Sequence, residues 1–150
     1  MLALIGMMAA AVPAAFGVAD RPVLLTAHAE GAQVYECKAG MDGKLAWAFR
    51  EPIATLMVDG KTVGRHFAGP SWLVGEDLIK GKLAANAPGA TAADIPWLKL
   101  EAAERRGAGP LKDAAFVLRL DTHGGAFAGS CDAAGRLHAE PYSADYVFLR

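Results

Sequence analysis

The sequence predicts an all-β domain, mainly antiparallel, a single-domain sandwich or barrel of about eight short strands joined by long Gly/Pro loops. Three features carry this. Beyond residue 19, short apolar runs alternate with Gly, Pro, Asn and Asp. No stretch holds the helical period. Asp59-Gly60 is a two-residue hairpin turn, since both residue types accept positive φ.

The elements follow in order. Gln33 to Cys37 alternates polar and apolar residues, as a half-buried strand does. Gly40 to Gly43 is turn chemistry, and Leu45 to Phe49 returns as a second strand. Ala54 to Val58 and Thr62 to Phe67 flank the Asp59-Gly60 turn, and Gly69-Pro70 ends that pair. Ser71 to Val74 and Leu78 to Leu83 read as another pair around Gly75-Glu76-Asp77. Residues 84–94 read as a loop, and Ile95 to Leu100 as a strand with Pro96 at its start or on an edge. Ala102 to Arg106 reads as a helical turn, and Gly107 to Pro110 as a loop. Ala114 to Leu120 is a strand with Phe116, Leu118 and Leu120 on one side. Thr122 to Gly125 turns, residues 133–142 read as irregular, and Tyr146 to Leu149 closes the chain.

Residues 1–19 carry no charge and run MLALIGMMAAAVPAAFGVA. An apolar core followed by the small-x-small pattern Gly17-Val18-Ala19 reads as a secretory signal peptide cut near Ala19–Asp20, which leaves residues 20–150 as the domain. A short buried helix or a membrane anchor is the other reading, although Pro13 interrupts a stretch already near the lower limit for spanning a bilayer. With the leader removed, no stable membrane span is expected, and the domain is placed in the periplasm or outside the cell.

The chain holds 15 basic and 16 acidic residues, a net charge of -1. Its longest basic stretch is Arg105-Arg106, so nucleic acid is excluded as a partner. Cys37 and Cys131 are the two cysteines, too far apart in sequence for a C-x-x-C redox or zinc motif. Export would join them as a disulfide closing a loop of roughly 95 residues, worth on the order of 4–5 kcal/mol in the chain-entropy model. Two buried free thiols are the alternative.

Several blocks together resemble the exported domain-of-unknown-function family 3455 of bacteria and fungi. They are Tyr35-x-Cys37, Gly64-x-His66-x-x-Gly69-Pro70-x-Trp72, Ile95-Pro96-Trp97-Leu98, Gly124-Gly125 ahead of Cys131, and Pro141-Tyr142-Ser143-Ala144-Asp145-Tyr146. The resemblance covers nearly all of residues 20–150 and implies an exported domain with no established activity. Some members carry enzyme names such as malate dehydrogenase. This chain has no G-x-G-x-x-G after a strand and no βαβ alternation, so that name is rejected on physical grounds. It also departs from the family pattern after Trp72, where Leu73-Val74-Gly75-Glu76-Asp77-Leu78 stands in place of Glu and Asp-Gly-Ser. An acidic site in that loop is therefore in doubt.

The candidate ligand-binding residues are His66, Trp72, Tyr142 and Asp145. The Gly69-Pro70 turn can bring His66 and Trp72 together, the histidine as a proton switch and the indole as the floor of a pocket. The plainer reading has His66 bonding a backbone carbonyl and Trp72 packing in the core. Asp145 either pairs with His66 or caps a turn. Tyr142, like Trp97, also reads as a core anchor. No histidine or carboxylate pair has metal-ligand spacing, so neither metal nor cofactor is expected. No G-x-S-x-G elbow is present, and a disulfide removes Cys131 as a nucleophile.

Three functions remain. The first is a binding module holding a small molecule, a glycan or an envelope protein. The second is a periplasmic inhibitor like the small lysozyme inhibitors, which Tyr35-x-Cys37-x-x-Gly40 faintly resembles. The third is a His66-dependent hydrolase or metal enzyme. Binding ranks first, because aromatic residues fall in turns while no catalytic set assembles.

Overall fold

The computed structural model describes residues 11–150. The leader expected over 1–19 therefore lies for the most part outside the described residues. Eight antiparallel strands follow: β1 (Val23–Ala39), β2 (Leu45–Val58), β3 (Lys61–Phe67), β4 (Ser71–Val74), β5 (Asp77–Ala87), β6 (Trp97–Arg106), β7 (Phe116–Gly124) and β8 (Leu137–Leu149). Each pairs with the next, and β8 returns to β1, so the sheet closes into a barrel rather than splitting into a sandwich. Closure leaves no edge strand unpaired.

The strands are longer than the sequence reading expects: β1 runs for 17 residues, β2 for 14 and β8 for 13. The two runs at 45–49 and 54–58 are one strand. Pro52 is carried within it, close to a bulge where Val34 and Tyr35 of β1 pair with Glu51 and Phe49, the kind of position that tolerates a missing N–H. Ala102 to Arg106 is strand, not a helical turn, because pairing with Leu78–Gly81 overrides its local helix preference. For the same reason β5 runs on to Ala87, and β8 begins at Leu137 within the region read as irregular. The predicted hairpin is present, with Asp59 at φ 50° and Gly60 at φ 74° joining β2 to β3.

Alternation divides the strands between a lumen and an outer face. Ala27 and Ala29 of β1, Leu56 of β2, Trp72 of β4, and Tyr146 and Phe148 of β8 pack in the lumen. Gly81 of β5 lies under the indole, where a Cβ would come within 2.8 Å of the Trp72 ring. One end of the barrel is plugged. The segment after β6 folds over it with Leu111 and Ala114 buried, and the Asp77 carboxylate accepts the N–H groups of Gly109 and Leu111, each at 2.9 Å.

A second apolar cluster lies outside the barrel. Leu118, Leu120 and Leu149 face outward and are covered by Phe16 and Val18, at the end of a single 3-10 turn, Ala14–Phe16. Trp97 belongs to this outer cluster and is only partly buried, so it anchors the outside of the wall rather than the lumen. Cys37 at the end of β1 is joined to Cys131 in the β7–β8 loop, with Cα atoms 6.0 Å apart, and no free cysteine remains. Among the described residues, no helix is long and apolar enough to cross a membrane.

Candidate functional site

The barrel end opposite the plug is open to a cleft of about 440 Å³. His66 near the end of β3, Arg119 of β7 and Gln33 with Tyr35 of β1 supply its polar groups. Phe49, Pro52, Ile95 and Leu98 supply apolar wall. The rim is braced by loop-to-loop hydrogen bonds. Asp94 accepts the Gly124 N–H at 2.7 Å, Ile95 donates to the Gly124 carbonyl at 2.9 Å, and the Tyr35 and Thr122 hydroxyls donate to the carbonyls of Gly125 and Ile95. The disulfide ties the same loop to β1. Beside the rim, Tyr35, Phe49, Phe127 and Trp47 form a run of ring contacts 5.4–5.8 Å between centroids, and Phe49 is 54% exposed.

His66 is buried at the inner wall of this cleft. The Gly69-Pro70 turn folds β4 back on β3, so that His66 and Trp72 are directly paired residues. Nδ1 of His66 donates to the Ser71 carbonyl at 2.8 Å, which assigns the proton to Nδ1 and leaves Nε2 as an acceptor. Burial is the main cause that pushes its pKa down to about 4; the Ser71 carbonyl opposes this, and the nearby Arg119 charge adds to it. The ring is therefore neutral at pH 7.

Arg119 is the unusual member. It is only 9% exposed, its Nε donates to the Pro96 carbonyl at 2.9 Å, and it takes part in no ion pair among the described residues. Burial dominates the shifts of His66, Tyr142 and Tyr146, and the Arg119 charge acts on all three in turn, so its neighbours are a neutral imidazole and phenols. Among the described residues, Gln33 Oε1 and Trp72 Nε1 are buried without a hydrogen-bond partner. Buried polar groups are rarely left so.

Of the four expected residues, the structure pairs His66 with Trp72, and Tyr142 is linked to them only through Tyr146. His66 lines the cleft, Trp72 lies behind it, and Tyr142 sits deeper in the lumen with its hydroxyl 3.0 Å from that of Tyr146. Asp145 is elsewhere. It alternates with the inward Ala144 and Tyr146, so it faces outward and meets His28 Nδ1 at 2.9 Å. The sequence reading did not single out Arg119 or Gln33. Arg119 lies within the apolar run Phe116 to Leu120, where an isolated cation is the one available signal. Among the described residues, no Ser, Cys, Asp or Glu lines the cleft, and no cluster of three His, Cys, Asp or Glu is placed to hold a metal ion.

A family model described as Protein of unknown function (DUF3455) matches residues 18–63 and 57–150. These matches cover most of the chain, which belongs to that family. No curated protein and no solved structure matches it.

Proposed function

We propose that this member of the DUF3455 family is a binding module of the cell envelope or exterior that takes a small molecule into the mouth of its barrel. The observation that carries the reading is the cleft of about 440 Å³, in the range of roughly 300–1,000 Å³ usual for ligand sites. It is largely apolar, with a few polar groups converging on it, and it sits on the open end of a barrel plugged at the other. An eight-stranded barrel has room for one small ligand in this position. The chemistry favours binding over turnover: among the described residues, the lining holds a neutral imidazole and a fixed cation but no Ser or Cys nucleophile and no carboxylate to serve the imidazole. Of His66, Trp72, Tyr142 and Asp145, His66 is the one that reaches the ligand, while Trp72 and Tyr146 hold its ring from behind. The Cys37–Cys131 disulfide supports placing the domain in the envelope or outside the cell, since such a bond persists in an oxidising compartment.

The test is a thermal-shift screen of small molecules on the full chain, repeated on Leu98→Trp, which fills the cleft. Ligands that raise the melting temperature saturably should lose that effect in the variant. Stabilisation that survives in Leu98→Trp would place binding elsewhere and overturn the reading.

A further inference from the structure

Among the described residues, the Arg119 guanidinium meets no anion. Its Nε is committed to Pro96 and the group also reaches the Tyr146 hydroxyl, which fixes its plane, while the remaining Nη donors are left for other partners. The other cation on the cleft, Arg50, is already paired with Glu36 at 3.5 Å and Glu51 at 3.8 Å, and its side chain is 46% exposed. Burying a charge without a counter-charge is expensive. A guanidinium held this way suits the planar, two-oxygen geometry of a carboxylate. Gln33 adds an independent demand, because its Oε1 is buried, accepts nothing from the protein and borders the same cleft.

We infer that the ligand of the barrel mouth is a small monoanionic carboxylic acid with an apolar body and a hydrogen-bond donor. Its carboxylate sits on Arg119, its donor meets Gln33 Oε1, and its apolar body lies against Phe49, Ile95 and Leu98. This rests on the binding reading above and names the class of molecule bound. One buried, uncompensated positive charge matches one negative charge. With His66 neutral, a phosphate dianion would leave an unpaired charge of its own. The wall also gives an inorganic anion nothing to bury.

The experiment titrates the full chain by calorimetry and thermal shift with 4-hydroxybenzoate, benzoate and hexanoate, each beside its neutral amide, and with inorganic phosphate. An acid should bind at least about tenfold more tightly than its amide, as expected for a charge-assisted hydrogen bond. Arg119→Gln should erase that preference while leaving the weaker amide binding in place. Equal binding of acid and amide would overturn the inference, as would an acid preference that survives Arg119→Gln. Phosphate binding as tightly as the best acid would overturn it too. Should Arg119→Gln fail to fold, the acid-to-amide ratio on the unaltered chain decides alone. The two readings fail differently. Neutral compounds that bind in the cleft while every acid is silent would overturn the carboxylate and leave the binding module standing. Silence from acids and neutral compounds alike would overturn both.

Discussion

The imidazole of His66 lies flat on the indole of Trp72, ring centroids 4.7 Å apart and planes 12° from parallel. Tyr146 closes on the same imidazole at 4.9 Å, so His66 is held between two large lumen rings with its Nδ1–H spent on Ser71. The stack joins the core to the cleft: the face of the imidazole is core, and the ring as a whole is part of the site.

A neutral histidine held this way makes stability depend on pH. Its pKa falls from the ordinary 6.5 to about 4 on folding, mainly through burial. The unfolded chain therefore binds the extra proton between those values. The stabilisation is complete above about pH 6.5 and is lost as pH falls towards 4, by about 3 kcal/mol for a shift of this size. Urea unfolding at pH 7, 5.5 and 4 should show the decline, and His66→Gln should flatten it. The same slope in both proteins would mean that His66 titrates normally.

His28 should behave in the opposite sense. Its two ring nitrogens meet Asp145 at 2.9 Å and Glu30 at 2.8 Å on the outer face, an arrangement that needs both protons. The hydrogen bond to Asp145, followed by the one to Glu30, raises its pKa above 6.5. Stability from this group is complete below pH 6.5 and disappears as pH rises through the folded value. Solvent screening keeps the effect small, since the His28 side chain is 46% exposed. An NMR titration should find a raised His28 pKa that drops in Asp145→Asn. No drop would remove Asp145 as its partner.

The hairpins were legible in the sequence because their turn residues have local reasons to be there, Asp59-Gly60 above all. Closure was not, since nothing local in Val23 to Ala39 shows that β1 pairs with both β2 and β8. The site was half legible. His66 and Trp72 stand either side of a visible Gly-Pro turn, so their proximity follows from the chain. Arg119 was hidden by an ambiguity of strand facing. Phe116, Leu118 and Leu120 read as a core-facing row, and a core-facing row would send Arg119 to solvent. The barrel has apolar surface on both sides of β7, so the row packs outward and Arg119 points in. The same alternation separates Asp145 from His66.

Breaking the disulfide should loosen the mouth before the rest of the barrel. The bridge spans a sequence separation of 94, and its neighbours hold the same loop: the Cys37 N–H donates to Arg136 O at 2.8 Å, and the Gly135 N–H to Cys37 O at 2.9 Å. Replacing both cysteines by serine should cost on the order of 4 kcal/mol in the chain-entropy model. Hydrogen exchange should rise first in residues 125–136. An unchanged melting temperature on reduction would show that the bridge contributes little.

The outer cluster bears on where an exported chain begins. Phe16 is 1% exposed and Val18 7%, both against Leu118, Leu120 and Leu149. A leader ending at Ala19 would carry both away and leave that surface open to water. Large-to-small replacement of a buried aromatic typically costs about 3–5 kcal/mol, and Phe16→Ala should fall near the lower end because its site is on the outside of the wall. If the chain is exported, its mature form should accordingly retain Phe16 and Val18, with the cut upstream of the 3-10 turn rather than at the expected Ala19–Asp20. N-terminal sequencing of secreted material, paired with unfolding of Phe16→Ala, checks both halves. A mature chain starting at Asp20 with undiminished stability would show that the cluster needs no cover.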